Sequence, residues 1–264
     1  MTAAAGPDLL AAIVAATRAG VAVRERQNQI RALARDSREP DGGAFAAALT
    51  SSPEPRIIAE CKRRSPSRGI LRVQYDPAAH AVAYAAAGAA AISVLTEPTF
   101  FDGSSEHLAA VRRAVGLPLL RKDFIITDYQ LHEAAALGAD AILLIVGALS
   151  DGELRRLHDV ALSLGLAALV EVHDRTELAR ALEAGARIVG VNSRNLRTLQ
   201  VDLQVVEGLA GEIPNDVVAV AESGIQAVDD VRRLSGLGYD AFLVGERLIA
   251  QDDPGAALRT LRSS

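Results

Sequence analysis

The sequence is poor in the residues that build disulfides, metal clusters and aromatic cores. Its 264 residues include one cysteine, one methionine, five phenylalanines and four tyrosines, and tryptophan is absent. A single cysteine excludes an intramolecular disulfide framework and a metal site built from several cysteines. We expect Cys61 to pack as a small apolar residue, in a core built mainly from alanine, valine, leucine and isoleucine.

Long apolar runs are also missing. No segment approaches the ~20 apolar residues of a membrane span, and Arg18, Arg24 and Arg26 interrupt the first apolar region. The sequence does not open with a basic segment followed by a long apolar stretch, as a secretory leader would. We therefore expect a soluble, cytoplasmic protein that does not enter a membrane.

The chain has no excess of positive charge. Its formal net charge is −5, which argues against a general nucleic-acid or anionic-membrane surface but is compatible with a local basic pocket. Because a metal site needs several converging ligands, we predict no metal and interpret all the histidines as structural residues. These are His80, His107, His132, His158 and His173, which show no metal-ligand spacing.

What the chain does contain is a regular alternation of short apolar runs with helical segments. Each run is too short for an independent helix, as expected of parallel strands buried on both faces. Aspartate and proline begin several helical segments, as at Asp76-Pro77 and Asp253-Pro254, and glycine ends them. The eight apolar runs are Ile57–Lys62, Ala90–Leu95, Pro118–Lys122, Ala141–Val146, Ala167–Glu171, Ile188–Asn192, Val217–Glu222 and Ala241–Gly245.

Eight strands, each followed by a helix, predict an α/β fold, the closed (β/α)8 TIM barrel. We expect a single domain, in which residues 1–52 form an N-terminal helical extension and residues 53–264 form the barrel. Within the extension we predict a helix over Asp8–Ala34, a turn-rich link over Asp36–Gly43 and a second short helix over Phe45–Leu49. The alternative is an open doubly wound sheet, which would usually show a glycine-rich dinucleotide loop after the first strand, where this chain has SPSRG.

Polar side chains follow the predicted strands at their carboxyl ends. Alternate side chains of an extended strand share a face, so Glu60 and Lys62 point the same way. Lys122 ends the third strand and Glu171 the fifth. Because all strand ends of a barrel meet at the rim where active sites lie, we predict that these four residues are catalytic. A solvated cluster of charges is the alternative for the first strand taken alone.

The glycines after the seventh and eighth strands predict a phosphate site. Ser223-Gly224 and Gly245-Glu246 can present backbone N–H groups to an anion, and a short helix N-terminus adds positive potential. The loops after these two strands form the usual phosphate site of such barrels, whereas two ordinary tight turns are the alternative. Arg121, next to Lys122, is predicted to face the helix layer.

Seven segments in combination resemble indole-3-glycerol phosphate synthase, a barrel enzyme of tryptophan biosynthesis. The similarity runs from about Ile57 to Leu261, and the helical extension also resembles that of the family. No second isomerase barrel follows, so we expect the monofunctional form. The segments, in the family's order, are AECKRRSPSRG, ISVLTEPTFFDGS, PLLRKDFI, LVEVH, GVNSRNL, VAESGI and FLVGERL.

The resemblance implies a substrate, 1-(2-carboxyphenylamino)-1-deoxyribulose 5-phosphate, whose ring closes with loss of carbon dioxide and water. Lys122 matches the general acid that protonates the ketone. Lys62 matches a second lysine, which contacts the phosphate and is proposed as an acid in dehydration. Glu171 matches the carboxylate that acts as a base or stabilises the cationic intermediate, and Glu60 matches its partner carboxylate near the first lysine. No cofactor is implied.

The resemblance also implies which residues hold the substrate. Phe101 and Phe124 resemble the aromatic residues that pack the anthranilate ring, with ordinary packing as the alternative. Glu246 departs from some relatives, which have serine there. Its side chain would point away if the phosphate met a backbone N–H, and would otherwise put phosphate affinity in doubt. The further implied residues are Asn192, Arg194 and Glu222 for substrate positioning, Ser65 and Ser223 for hydroxyl and phosphate contacts, and Lys62, Gly224, Gly245 and Glu246 around the phosphate.

Two other functions stay open. Another phosphate-binding barrel, such as an aldose–ketose isomerase, would use an acid–base pair of aspartate or cysteine, whereas lysines dominate this rim. A non-catalytic scaffold barrel would not need the lysine and glutamate set. We expect a phosphorylated small molecule as the partner, with neither nucleic acid nor membrane, and a monomer or weak homo-oligomer. Contact with other tryptophan-pathway enzymes is left open.

Overall fold

A closed barrel of eight parallel strands forms the centre of the molecule. The computed structural model describes residues 8–27, 38–51 and 55–263. Each barrel strand pairs in parallel with its sequence neighbours, and the first pairs with the last, which closes the sheet. The (β/α)8 prediction is therefore confirmed. The strands are β1 (Arg56–Cys61), an antiparallel pair β2 (Arg64–Ser65) and β3 (Gly69–Ile70) outside the barrel, β4 (Ala91–Leu95), β5 (Leu119–Lys122), β6 (Ala141–Ile145), β7 (Ala167–Val172), β8 (Ile188–Asn192), β9 (Val218–Glu222) and β10 (Ala241–Val244).

Strand β1 shows why these runs are apolar on both faces. Ile57, Ala59 and Cys61 pack in the layer between sheet and helices, whereas Ile58 packs inside the barrel. Cys61 is fully buried, and burial, with a smaller effect of Glu60, raises the pKa of its thiol. The predicted role of Cys61 as a small apolar residue on the helix-facing side is confirmed.

The helices begin and end at the residues that the sequence marks. Asp76 and Asp253 accept backbone N–H groups at helix starts, and Gly138 and Gly185 follow helix ends with φ of 84° and 90°, a conformation that favours glycine. Among the described residues, none of the helices has the length and apolarity needed to cross a membrane. The helices are α1 (Leu9–Gln27), α2 (Gly42–Ala48), α3 (Pro77–Ala86), α4 (Pro98–Phe101), α5 (Ser105–Ala114), α6 (Asp128–Ala136), α7 (Asp151–Ser163), α8 (Arg175–Glu183), α9 (Leu203–Leu209), α10 (Val228–Gly236), α11 (Glu246–Ile249) and α12 (Pro254–Arg262).

The predicted link between the first two helices is wrong at its end. Gly42 and Gly43 belong to α2, because the Asp41 carboxylate accepts the Ala44 N–H and starts the helix there. The predicted end of the first helix, at Ala34, lies outside the described residues. Phe45 and Leu49 are completely buried in the interior cluster that includes the first residues of several strands, so α2 covers the amino-terminal end of the barrel.

Helix α1 is tied to the barrel by a chain of ion pairs behind the third barrel strand. Arg24 Nε lies 2.9 Å from Glu133 Oε1, and Glu133 Oε2 lies 2.7 Å from buried Arg121. Arg121 also contacts the Asp123 carboxylate at 3.0 Å. Arg121 therefore faces the helix layer, as predicted, and is neutralised there, while its neighbour Lys122 points into the barrel.

Candidate active site

A cavity of about 460 Å³ opens at the carboxyl ends of the barrel strands. Its wall is formed by the last residues of the strands and by the loops that follow them. Every residue that the sequence predicts for the site lies on this wall. These are Glu60, Lys62, Ser65, Phe101, Lys122, Phe124, Glu171, Asn192, Arg194, Glu222, Ser223, Gly224, Gly245 and Glu246.

Lys122 lies between two carboxylates at the floor of the cavity. Its Nζ is 3.1 Å from Glu171 Oε2 and 3.3 Å from Glu222 Oε2. Burial alone would lower the pKa of Lys122, but the charges of Glu171, Glu222 and Glu60 outweigh burial and raise it. Sequence reasoning left this balance open. The structure resolves it in favour of the ammonium form.

The two carboxylates differ in their own titration. Burial would raise the pKa of Glu171, but Lys122, His173 and a hydrogen bond from Asn192 together lower it. Burial, with the charges of Glu171 and Glu60, raises the pKa of Glu222 to about 8 against the opposing effect of Lys122. Near neutral pH the Lys122 cluster therefore combines an ionised Glu171, a protonated Glu222 and the ammonium group of Lys122.

Two glycines clear the space that the buried carboxylates occupy. A Cβ at Gly245 would lie 2.2 Å from Glu60 Oε1, and a Cβ at Gly190 would lie 2.0 Å from Glu222 Oε1. Glu60 is thereby free to pair with Lys62, whose Nζ lies 2.5 Å from Glu60 Oε1. The lysine–glutamate pair predicted from strand alternation is present.

One part of the cavity wall is polar and includes Ser223, Gly224 and Glu246. Ser223 and Gly224 both adopt left-handed backbone conformations, with φ of 65° and 74°. This conformation is costly for serine and typical of functional loops. Glu246 does not point away from the cavity, because its Oε1 lies 3.2 Å from Arg194 Nη2 and its Oε2 lies 3.7 Å from Arg68 Nε. The carboxylate is thus already paired with arginines.

Another part of the cavity wall is apolar. The rings of Phe101 and Phe124 lie 6.0 Å apart between centroids. The carboxylate of Glu97 accepts the N–H groups of the turn that carries Phe101. Leu9 and Ile13 of α1 complete this wall. Sequence reasoning missed these two residues, since the barrel pattern does not say where an extension packs.

His173 contacts the buried carboxylate Glu171 without lining the cavity, and sequence reasoning gave it a structural role. Its Nε2 lies 3.4 Å from Glu171 Oε1, and its Nδ1 lies 3.0 Å from Glu177 Oε2. The signal was available, because His173 follows Glu171 by two positions and alternation places both on the inner face. The same rule had been applied to Glu60 and Lys62.

A (β/α)8 barrel with a buried lysine–carboxylate cluster at its carboxyl rim defines an enzyme of the TIM-barrel class. Within that class, the chain belongs to the indole-3-glycerol phosphate synthase family, whose family model matches residues 10–261. The indole-3-glycerol phosphate synthase of Parafrankia sp. is 52% identical over 248 residues, covering 94% of this chain and 92% of that protein. The enzyme of the same name from Sulfurimonas denitrificans is 47% identical over 259 residues, covering 96% and 98%.

Membership of this family assigns to the chain the carboxy-lyase step of tryptophan biosynthesis that gives the family its name. More distant solved structures share the fold alone. A thiamine phosphate pyrophosphorylase from Pyrococcus furiosus has a TM-score of 0.59 at 18% identity, covering 78% of this chain and 93% of that one. An N-acetylmannosamine-6-phosphate 2-epimerase from Clostridium perfringens has a TM-score of 0.58 at 16% identity, covering 76% and 88%.

Proposed function

We propose that the cavity binds 1-(2-carboxyphenylamino)-1-deoxyribulose 5-phosphate and converts it to indole-3-glycerol phosphate, with Lys122 as the general acid of ring closure. The observation that carries this proposal is the position of Lys122. Its ammonium group is held between Glu171 and Glu222, in a cavity that Phe101, Phe124 and the Ser223-Gly224 turn also line.

The apolar and polar parts of the cavity wall fit the two ends of this substrate. The anthranilate ring would lie against Phe101 and Phe124, which form an apolar wall. The phosphate would meet the backbone of the Ser223-Gly224 turn and the ammonium group of Lys62. We infer that the backbone N–H of Glu246 meets the phosphate although its side chain does not point away, since Arg194 offsets the charge of the carboxylate.

The chemistry follows from the charge states. As the ring carbon bearing the carboxylate attacks the ketone, the ketone oxygen becomes an alkoxide, a base strong enough to take a proton from Lys122 despite its raised pKa. The positive charge that develops on the ring system is stabilised by the ionised Glu171 carboxylate. Loss of carbon dioxide then restores the aromatic ring.

Dehydration needs a second acid and a base on the same cavity wall. Lys62, oriented by Glu60, protonates the departing hydroxyl, and Glu171 accepts the proton from the carbon. Asn192 supports the base, since its hydrogen bond favours the ionised form of Glu171.

A fluorescence assay tests the proposed function. The product contains indole and the chain contains no tryptophan, so turnover raises indole fluorescence above a dark protein background. We expect this rise together with stoichiometric release of carbon dioxide. An isomerase would leave the carboxylate in place, and a scaffold would leave the substrate unchanged. Either result with folded protein contradicts the proposal.

We further propose that residues 1–264 act as one domain, because α1 of the extension supplies Leu9 and Ile13 to the cavity. We propose a monomer or weak homo-oligomer, because the site is built from residues of one chain. We also propose a cytoplasmic location. A phosphorylated small molecule is the proposed partner.

A further inference from the structure

His173 bridges two carboxylates just beyond the end of β7. Its Nδ1 lies 3.0 Å from Glu177 Oε2, and its Nε2 lies 3.4 Å from Glu171 Oε1. From Glu171 the contacts continue to Lys122 and then to Glu222. One line of contacting ionisable groups therefore runs from the start of α8 to the floor of the cavity.

The outer end of this line is held by the local fold. Asp174 accepts the Glu177 N–H at the start of α8, at 2.8 Å, which turns the Glu177 carboxylate back toward β7. There it accepts the backbone N–H of His173 at 2.8 Å in addition to contacting the ring. Gly147 leaves room for it, since a Cβ there would lie 2.8 Å from Glu177 Oε1.

The inner end of the line is buried. Glu171 is completely buried, so the stability of its charge depends on the protein groups around it. One of its oxygens faces Lys122, and the other faces His173. The His173 ring does not line the cavity, so it acts on a bound substrate through Glu171 and not by contact.

The groups facing the His173 ring favour its charged form. They are Glu177 from α8, Glu171 from its own strand and Glu222 from β9. Burial would lower the pKa of His173, but the hydrogen bond with Glu177 and the charges of these carboxylates outweigh burial and raise it. The imidazolium hydrogen-bonds through Nδ1 to Glu177 Oε2, whereas its Nε2 faces Glu171 Oε1 as an ion pair at 3.4 Å. The ring is therefore held between the two carboxylates by one hydrogen bond and one charge contact.

We propose that His173 is a positioning residue of this active site: bridged between Glu177 and Glu171, it fixes the Glu171 carboxylate against Lys122 and keeps it ionised as a base. This inference rests on the proposed role of Glu171. It extends that role by naming His173, and its positive charge, as what allows the fully buried Glu171 carboxylate to act as a base.

The test is the pH dependence of kcat in His173→Gln. Glutamine keeps a donor beside Glu171 but removes the positive charge. We expect kcat to fall by roughly tenfold or more with little change in KM, and the acidic limb of the kcat profile to move to higher pH. His173→Lys, which restores a positive charge, should move that limb back. Glu177→Gln keeps an acceptor for the ring but stabilises the imidazolium less. It should move the limb to higher pH by less than His173→Gln does.

His132→Gln, on α6 away from the cavity wall, is the matched control and should behave as the wild type. Unchanged kcat and an unmoved acidic limb in His173→Gln would overturn the inference. So would a loss of kcat with no movement of the limb, which indicates a structural role alone. If His173→Gln does not fold, Glu177→Gln decides by the same limb.

Glu171→Gln is assayed alongside. If it keeps wild-type kcat, the role of Glu171 fails. If it loses kcat while His173→Gln does not, only the His173 inference fails.

Discussion

Glu171 and Glu222 share one ammonium group but have different charge states. Both carboxylates contact Lys122 Nζ within 3.3 Å and both are buried. His173 and Asn192 stabilise only the charge on Glu171, whereas the negative charges of Glu171 and Glu60 oppose ionisation of Glu222. Two chemically identical residues thereby take different charge states, an ionised carboxylate at Glu171 and a neutral carboxylic acid at Glu222.

This difference predicts unequal effects of the same substitution. Glu222→Gln resembles the protonated side chain, so near neutral pH we expect kcat to stay within about tenfold of the wild type. Glu171→Gln removes the proposed base and should cost roughly 10²–10⁴-fold. Steady-state kcat across a pH series measures both. Equal losses in the two variants at neutral pH would contradict the assignment.

The raised pKa of Glu222 also predicts that the wild type and Glu222→Gln differ in how their stability depends on pH. The folded-state pKa of Glu222 is raised from 4.5 to about 8, so the stability that its protonated form contributes is present at low pH and is lost as pH rises through that window. Glu222→Gln removes this titration. Its free energy of unfolding should therefore fall less than that of the wild type between those pH values, as measured by denaturant titration. A parallel pH dependence in the two proteins would be evidence against the raised pKa.

The positions of the site residues were predictable from the sequence, but their protonation states were not. Strand alternation placed Glu60 and Lys62 on one face. The rule that barrel active sites lie at the carboxyl ends of the strands predicted Lys122 and Glu171. The charge states depend on distances between side chains from different strands, which no local pattern contains. The contact between His173 and Glu171 was not predicted, because histidines were judged by metal-ligand spacing and not by alternation from Glu171.

Strands carry glycine where a neighbouring strand end needs room for a carboxylate. Gly190 lies within β8 and makes space for Glu222, and Gly245 follows β10 and makes space for Glu60. The rule that glycine marks a turn does not predict that these two glycines make space for carboxylates. Their role is visible only once the register of adjacent strands is known.

Gly245→Ala should displace Glu60 and, through it, Lys62. An added methyl group 2.2 Å from Glu60 Oε1 forces the carboxylate to move by about 1 Å, and such a misplacement costs roughly 10²-fold in kcat/KM. Gly208→Ala, inside α9, meets no atom within 4 Å and is the matched control. We expect it to keep wild-type kinetics and to gain about 0.5–1 kcal/mol of helix stability. Equal kinetics in the two variants would show that Glu60 does not need this space.

Element boundaries were predictable where capping residues are unambiguous, as at Asp76 and Asp253. The start of α2 was misplaced because the glycines after Asp41 looked like a link, whereas the Asp41 side chain caps a helix at that point. The contribution of α1 to the cavity depends on long-range ion pairs such as Arg24 with Glu133. Sequence spacing does not encode such pairs.

Over the whole molecule, barrel closure determines where the site forms but not what it does. Two proteins named for other activities have TM-scores near 0.6 to this chain at 16–18% identity, as expected of a fold that hosts many chemistries. We propose that the activity of this chain depends on the charged side chains at the rim, above all Lys122 between its two carboxylates.

The most direct measurement is the turnover of Lys122→Ala and Lys122→Arg in the indole fluorescence assay, with ligand affinity measured by equilibrium titration. Arginine keeps a positive charge between Glu171 and Glu222 but holds its proton too tightly to act as an acid. We predict that both variants lose at least about 10²-fold in kcat while binding a substrate analogue within a few-fold of wild type. Near-normal turnover in either variant would contradict the assignment of Lys122 as the ring-closing acid.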